Sequence, residues 1–488
     1  MRKALPRQSQ LDCPSVSDLT FNVNCRDEII PILLALQHVY SDSRLRSEIL
    51  RSIESDVNGM SSADMGRTGM DYWQILVLMA VRLGCDYDYD HLQNLAEEHR
   101  SLRRVMRIGD WLEESNFSWR TIRNNICLLQ PQTVEAISHA IVDLGHQLEP
   151  DAAQTQRADS TVVDTNIHFP TESSLIWDGT RKITALCVQL HDKYEITGWR
   201  QFALLLRQVK KVNREIGRIV GKKGANYKER LAAKYRELLR RARSIIDRAK
   251  SSCETLEADF VLDLWTVALI EEVRVFIGRT EQVCGTARRR VLEGETVPNA
   301  DKLFSVFEPH TQLYRRGKAG EPNQYGRLVM FYEDAAGFIT HHHLLERDQQ
   351  DADIAVEQTR ALQERLNNKI ESLSFDRGFH SPENHAELAK LVPNVCLPMP
   401  GPKQSASQNE NATPIFNKQK KSHSGIESAI GALKSGNGLE RCRDSSEQGF
   451  KRYLALAVLG RNLHTLGRLL LARTDPDSAA AHSERHAA

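Results

Sequence analysis

No stretch of this chain approaches the ~18 consecutive apolar residues that read as a membrane span. Its first residues, Met1-Arg2-Lys3-Ala4-Leu5-Pro6-Arg7-Gln8, lack the apolar centre of a secretory signal. The expectation is a soluble, cytoplasmic protein with no membrane partner. Paired cysteines are also missing. The nine present (Cys13, Cys25, Cys85, Cys127, Cys187, Cys253, Cys284, Cys396 and Cys442) are odd in number and include no C-x-x-C spacing. That argues against a disulfide framework or a zinc ribbon and leaves reduced thiols. Net charge is nearly absent too, at +1. The balance hides a strong local surplus, because residues 207–250 carry 16 Lys and Arg against 4 Asp and Glu.

What is present is enough for ordinary globular cores: 41% hydrophobic residues over 488 positions, a length that suggests two or three domains. Residues 1–150 read as a helical domain. Ile29 to Leu50 has helical periodicity, Tyr72 to Leu83 is an apolar buried helix, and Tyr89–Glu97, Leu102–Met106 and Trp119–Leu129 are shorter helices. Asn116-Phe117-Ser118 supplies an N-cap for the last of these. A bundle of short helices fits DNA binding, and it fits other helical bundles as well.

At Ala158 the pattern turns extended. A turn at Phe169–Ser174 follows, and then residues at about 180–300 return to helix. Val209, Val212, Ile216 and Ile219, then Leu231, Tyr235, Leu238, Ile245 and Ile246, form an apolar stripe on two long helices broken at Gly221–Asn226. Gly326–Tyr332 and Gly337–His342 read as a hairpin. Asp351–Ile370 reads as a helix, Ser372–Phe375 as a strand, Pro382–Leu391 as a helix and Asn394–Pro398 as a strand. After a flexible loop at 400–415 come a helix around Glu427 that stops near Gly436 and an apolar helix at Tyr453–Leu471. Residues 474–488 read as a disordered tail. With the helical insertion removed, this is the element order of an α/β, ribonuclease-H-like mixed sheet over residues 151–473.

Three acids stand in settings suited to phosphodiester chemistry. Asp159 lies in the strand Ala158–Val163, Asp376 at the end of the apolar run Leu373-Ser374-Phe375, and Glu427 at the start of a helix. Two strand aspartates and a helical glutamate can converge on two divalent ions, which activate an attacking oxygen and stabilise a leaving one. Mg²⁺, with Mn²⁺ as the alternative, takes such oxygen donors. Without a cation, clustered carboxylates repel one another. Each acid also has a plainer reading: Asp159 paired with Arg157 or capped by an amide, Asp376 capping the next turn, Glu427 on a solvated helix face. Asp164 falls on the opposite strand face from Asp159 and reads as structural. Lys434 follows Glu427 by seven residues, on the same helical face.

The basic segment, including Lys210, Lys211, Lys222, Lys223, Arg240 and Arg241, makes a field suited to phosphates. A solvated helix surface is its bland alternative. Lys403 is a DNA contact or an ordinary loop lysine, and Trp177 stacks on a base or packs near Pro170. His341-His342-His343 points to alternate strand faces, so the three do not readily share one ion.

Together these segments resemble bacterial insertion-sequence transposases with a DDE triad. Asp159-Ser160-Thr161 with Pro170-Thr171-Glu172-Ser173 resembles the first-aspartate strand and its following turn. Phe375-Asp376-Arg377-Gly378-Phe379-His380 resembles the second-aspartate motif, and Ile426-Glu427 with Gly431, Leu433-Lys434 and Asn462-Leu463 the glutamate region. Gly66-Arg67 and the helices to Leu129 resemble the N-terminal domain common in such proteins. The likeness spans roughly residues 30–470.

The resemblance implies that Asp159, Asp376 and Glu427 are the catalytic metal ligands for two Mg²⁺ ions. It implies that Lys434, Lys421, His423 and Arg377 contact DNA. The family often carries an arginine where this chain has His423, and no tyrosine stands at Lys420. It further implies cleavage at transposon ends and attack of the freed 3′-hydroxyl on target DNA. The partners would be double-stranded DNA (terminal inverted repeats and target) and a second copy of the chain in the DNA complex, at the nucleoid. A metal-dependent nuclease without strand transfer, or a catalytically inactive DNA-binding repressor, is the alternative.

Overall fold

A computed structural model of the chain describes residues 5, 12–23, 27–59, 69–111, 117–315, 322–399 and 414–474. Gly66, Arg67, Lys403, most of the 400–415 loop and the tail from 475 lie outside these residues. The chain divides into two compact units, residues 1–166 with 327–488, and residues 167–326. The helices of 1–150 are thus not a compact unit of their own, and the inserted unit reaches beyond 180–300 at both ends.

The first unit opens with helices α1 (Ile29–Ser41), α2 (Ser43–Asn58), α3 (Tyr72–Gly84), α4 (Tyr89–Glu98), α5 (Arg100–Val105), α6 (Trp119–Ile126) and α7 (Pro131–Leu148). The periodic run Ile29–Leu50 is two helices rather than one. Asp42 breaks it by taking extended backbone and accepting the N–H groups of Arg44 and Leu45, each at 3.0 Å. Ser118 caps α6 by accepting the Thr121 N–H at 3.2 Å. α7, not singled out by sequence, begins on a proline, whose missing N–H costs nothing in a first turn. Strand β1 (Thr155–Thr165) follows.

The second unit holds α8 (Glu172–Tyr194), α9 (Phe202–Lys222), α10 (Tyr227–Asp259) and α11 (Leu264–Ala287), packed around Leu186, Trp199, Leu238 and Val273. The turn expected through Ser174 is shorter than that: Thr171 accepts the Ser174 N–H, and α8 starts at Glu172. The hairpin α9–α10 turns through Lys223 and Asn226, both left-handed with φ of 36° and 53°. Asparagine tolerates that conformation better than most residues. The expected stripe is buried at Val209, Val212, Ile216, Tyr235, Leu238, Ile245 and Ile246. Strand β2 (Gln312–Tyr314) pairs antiparallel with Gln324–Gly326.

The first unit resumes along β3 (Gln324–Asp334) and continues through β4 (Ile339–Leu344), α12 (Asp351–Arg365), β5 (Ser372–Phe375), α13 (Pro382–Leu391), β6 (Asn394–Cys396), α14 (Pro414–Ser422), α15 (Gly425–Gly436), β7 (Arg441–Cys442) and α16 (Glu447–Thr474). α14 falls where a loop was expected to end. The strand path is β3-β1-β5-β6, with β4 on β3 and β7 on β1. β1–β5, β5–β6 and β1–β7 are parallel and β3–β4 is antiparallel, so the sheet is mixed. In the β3–β4 hairpin, Asp334 Oδ1 accepts the N–H groups of Ala336 and Phe338 at 2.9 Å, and Gly337 supplies a φ of 88°.

One continuous core joins the N-terminal helices, the sheet and α16. Asn462 of α16 acts as a surrogate strand residue. Its amide accepts from Ile339 N–H at 2.8 Å and donates to Ile339 C=O at 2.9 Å, and it also donates to Ser138 of α7 at 2.9 Å. An isolated amide would be costly at this depth, and three bonds satisfy it. No helix among the described residues is long and apolar enough to cross a membrane. The eight described cysteines are free thiols.

Candidate functional site

The register of β1 against β5 positions two of the three acids. Arg157 lies opposite Ser374, and Ala158 opposite Phe375. Continuing by one residue sets Asp159 alongside Asp376, which keeps extended backbone (φ −79°, ψ 167°) before the turn Arg377–Phe379. Residues two apart share a strand face, so Arg157 and Asp159 on β1 stand with Ser374 on β5 and with Asp376 just beyond its end. Burial follows this alternation: Arg157 and Asp159 are half-buried, while Gln156, Ala158 and Ser160 are buried. Asp376 is exposed. Gly378 has no positive φ, so the turn after Asp376 does not rely on glycine's left-handed freedom.

The third acid arrives through the α14–α15 junction, which is fixed to this same face. Arg157 Nη1 donates to Ser422 C=O at 3.1 Å, and Ser374 Oγ lies 3.1 Å from His423 Nδ1. Gly425 leaves room for the Arg157 guanidinium, since a Cβ there would sit 1.9 Å from Arg157 Nη1 and the side chain would have to shift. Glu427 follows in the first turn of α15, exposed, on a helix that packs against β1. Burial, assisted by Arg157, lowers the pKa of His423, while the neighbouring carboxylates Asp376 and Glu427 oppose the shift. His423 is therefore within electrostatic reach of both acids and is biased toward the neutral ring. Arg157 Nε also donates to Glu333 of β3 at 2.6 Å. Burial raises the Glu333 pKa in spite of that partner.

Arg157, Ser374 and Glu333 were not singled out for the site by sequence. The signal available was their period-2 spacing, since Arg157 and Ser374 each precede a candidate acid by two residues. Lys434 is half-buried on α15 with Glu427, Lys421 is exposed at the end of α14, and Arg377 is exposed beside Asp376. The oxygen donors Asp159, Asp376 and Glu427 suit hard divalent ions in kind. They are not a group whose ligand atoms all lie within 4.8 Å of one another. Among the described residues only Glu135, His139 and His341 are. Ions ~4 Å apart with ~2.1 Å bonds allow outer ligands to stand ~8 Å apart, so a two-ion centre does not demand the tighter spacing.

In the second unit, the basic hairpin uses up most of its own acids. Glu215 and Glu237 hold Lys234 at 2.7 and 2.9 Å, and Glu237 also holds Arg241 at 2.9 Å. Lys210, Lys211, Lys222, Lys223 and Arg240 are exposed and make no ion pair among the described residues. Lys210 lies over the Trp177 ring, 5.8 Å from its centroid.

The histidine run and His139 are half-buried and biased toward the neutral ring. Burial pushes His139 down to about 3 and His341 and His342 each down to about 4. In the unfolded chain these rings titrate near pH ~6.5, so below that pH the unfolded state takes up protons first. Stability is then fully present above pH ~6.5 and falls as pH drops toward 4, by up to roughly 2–3 kcal/mol for each of His341 and His342. Thermal midpoints measured from pH 7 to 4 are expected to decline steeply, and His342→Gln, which cannot charge, to decline less. Parallel curves for the two proteins would refute this.

The chain matches no protein-family model, no curated protein and no solved structure in the three comparisons made.

Proposed function

We propose that this chain is a DDE-type DNA transposase whose catalytic acids are Asp159, Asp376 and Glu427, on a ribonuclease-H-like sheet. The observation that carries the reading is the parallel register of β1 and β5 up to Ala158 and Phe375, the residues just before Asp159 and Asp376, on the face to which Arg157 and Ser374 tie the junction leading into the Glu427 helix. The strand order agrees with it, since one aspartate lies on β1, the other directly follows the neighbouring strand β5, and a later helix carries the glutamate. Two Mg²⁺ ions held by these carboxylates would supply nucleophile activation and leaving-group stabilisation.

The protein's own groups do the rest. Asp159 and Asp376 present oxygens from a rigid sheet. Arg157 anchors the α14–α15 junction and partly offsets the local negative charge. His423, held near neutral by burial, supports the acids rather than contributing a fixed positive charge. A phosphate contact from His423 would then be a neutral hydrogen bond. Lys434, two helical turns beyond Glu427, suits a DNA phosphate. DNA would also engage the exposed lysines of α9 and α10.

The test is joining of a labelled oligonucleotide, bearing the DNA that flanks the coding region and a free 3′-hydroxyl, to a plasmid in Mg²⁺. Covalent joining supports the transposase. Hydrolysis alone favours the nuclease, and binding with neither reaction favours the repressor. For the helical unit, replacing Lys210, Lys211, Lys222 and Lys223 by glutamine is expected to weaken DNA binding about 10- to 100-fold at moderate salt. The dependence of log affinity on log salt should become shallower by up to ~3.6, since each of the four phosphate contacts contributes ~0.9 to that slope. An unchanged slope would remove the hairpin from the DNA interface.

A further inference from the structure

We propose that Glu135, His139 and His341 form a binding site for one divalent transition ion of the zinc class, clamping α7 to the strand β4. One ligand atom from each lies within 4.8 Å of the other two. Glu135 and His139 are four residues apart on α7 and so share a face. His341 reaches them from β4, a strand whose one partner in the sheet is β3. This site is independent of the transposase reading, because it uses none of the three acids.

The donor set selects the ion. Two imidazoles and a carboxylate suit zinc and its neighbours, whereas Mg²⁺ and Ca²⁺ take oxygen ligands. Three protein ligands leave the fourth tetrahedral position for water. Ligation requires unprotonated rings, the ordinary form of imidazole above pH ~6.5. His341 Nε2 is hydrogen-bonded to Gln358 Oε1 at 2.9 Å. That bond puts the ring proton on Nε2 and leaves the Nδ1 lone pair to bind, the outer-shell support usual for metal-bound histidine.

Glu135 and His139 do not satisfy each other, since Oε1 and Nε2 stand 4.0 Å apart, beyond a hydrogen bond. Bonds of ~2.1 Å place donors ~3.4 Å apart in a tetrahedron, so side-chain movements of about an ångström close the site. Their side chains are 32% and 29% exposed, which leaves an entry path. Arg365 works against an ion here, since after burial its charge helps to lower the His139 pKa. Its Nη2 is occupied by His139 C=O at 3.1 Å and Asp143 Oδ1 at 3.3 Å.

The experiment titrates chelator-treated, DNA-free protein with Zn²⁺ by calorimetry, with Mg²⁺ in excess. One equivalent is expected to bind and to raise the thermal midpoint. Affinity should fall at least tenfold in His139→Ala and in Glu135→Gln, both helix-surface changes compatible with folding. Co²⁺ in place of zinc should give the visible absorption of a tetrahedral centre, lost in His139→Ala. The doubly substituted Asp159→Asn/Asp376→Asn protein should keep the equivalent. The proposal is overturned by the absence of a bound equivalent, by unchanged affinity in both α7 variants, or by loss of binding in the doubly substituted protein.

Discussion

If the chain is the proposed transposase, Asp376→Asn is expected to abolish its Mg²⁺-dependent strand cleavage while leaving fold and DNA binding intact. The carboxylate is exposed, and its residue shapes the following turn through backbone, with Asp376 C=O accepting the Phe379 N–H at 3.2 Å. Asparagine keeps that turn and the size of the side chain, and removes only the charge. If the carboxylate holds a catalytic ion, the loss is several kcal/mol of transition-state stabilisation, on the order of 10³-fold or more in rate. Asp159→Asn should match it. Ser374→Ala, which only releases the His423 ring, should cost far less and should shift the pH profile instead. The measurement is the initial rate of nicking of a supercoiled plasmid carrying the flanking DNA, alongside circular dichroism and a binding isotherm. Cleavage by Asp376→Asn at the wild-type rate would sink the assignment.

That prediction rests on residues that sequence made visible to different degrees. β1 was legible because Asp159 is followed closely by the β-branched run Thr161-Val162-Val163, and the end of β5 because Asp376 terminates the short apolar run Leu373-Ser374-Phe375. α13 and the end of α15 were legible through Pro382 and Gly436. What ties these pieces together was not. Nothing local in Arg157 announces that it reaches both Glu333 and Ser422 C=O, 176 and 265 residues away. Likewise Glu135 and His139 sit on a helix that periodicity would have revealed, but their approach to His341 depends on α7 lying against β4, a contact more than 200 residues apart in the chain. The division of the chain was obscured for the same reason. Residues 1–150 are locally a helical bundle, yet their apolar faces are completed by α16, from the other end of the sequence. Periodicity reports which face of a helix is apolar. It does not report what covers that face.

The closure of that shared core gives the second large effect. α16 meets its neighbours through glycines with no room for a side chain. A Cβ on Gly467 would lie 1.9 Å from the Pro31 carbonyl oxygen in α1, and one on Gly460 would lie 2.5 Å from the Gly84 nitrogen in α3. Both obstacles are backbone, so no rotamer change relieves them, and the helices would have to separate. Alanine in a helix ordinarily gains up to ~1 kcal/mol over glycine. Here overpacking outweighs that gain, and Gly460→Ala or Gly467→Ala should destabilise the first unit by roughly 3 kcal/mol, at or beyond the upper range for added methyl groups. Gly278→Ala is the internal control. It lies exposed on α11 with no atom within 4 Å of its Cβ position, so the propensity gain acts alone and should stabilise slightly. Denaturant midpoints at unchanged slope report all three. Equal behaviour of Gly278→Ala and Gly460→Ala would mean that α16 does not seat against α3 at glycine-to-glycine distance, and the single core joining the two ends of the chain would have to be redrawn.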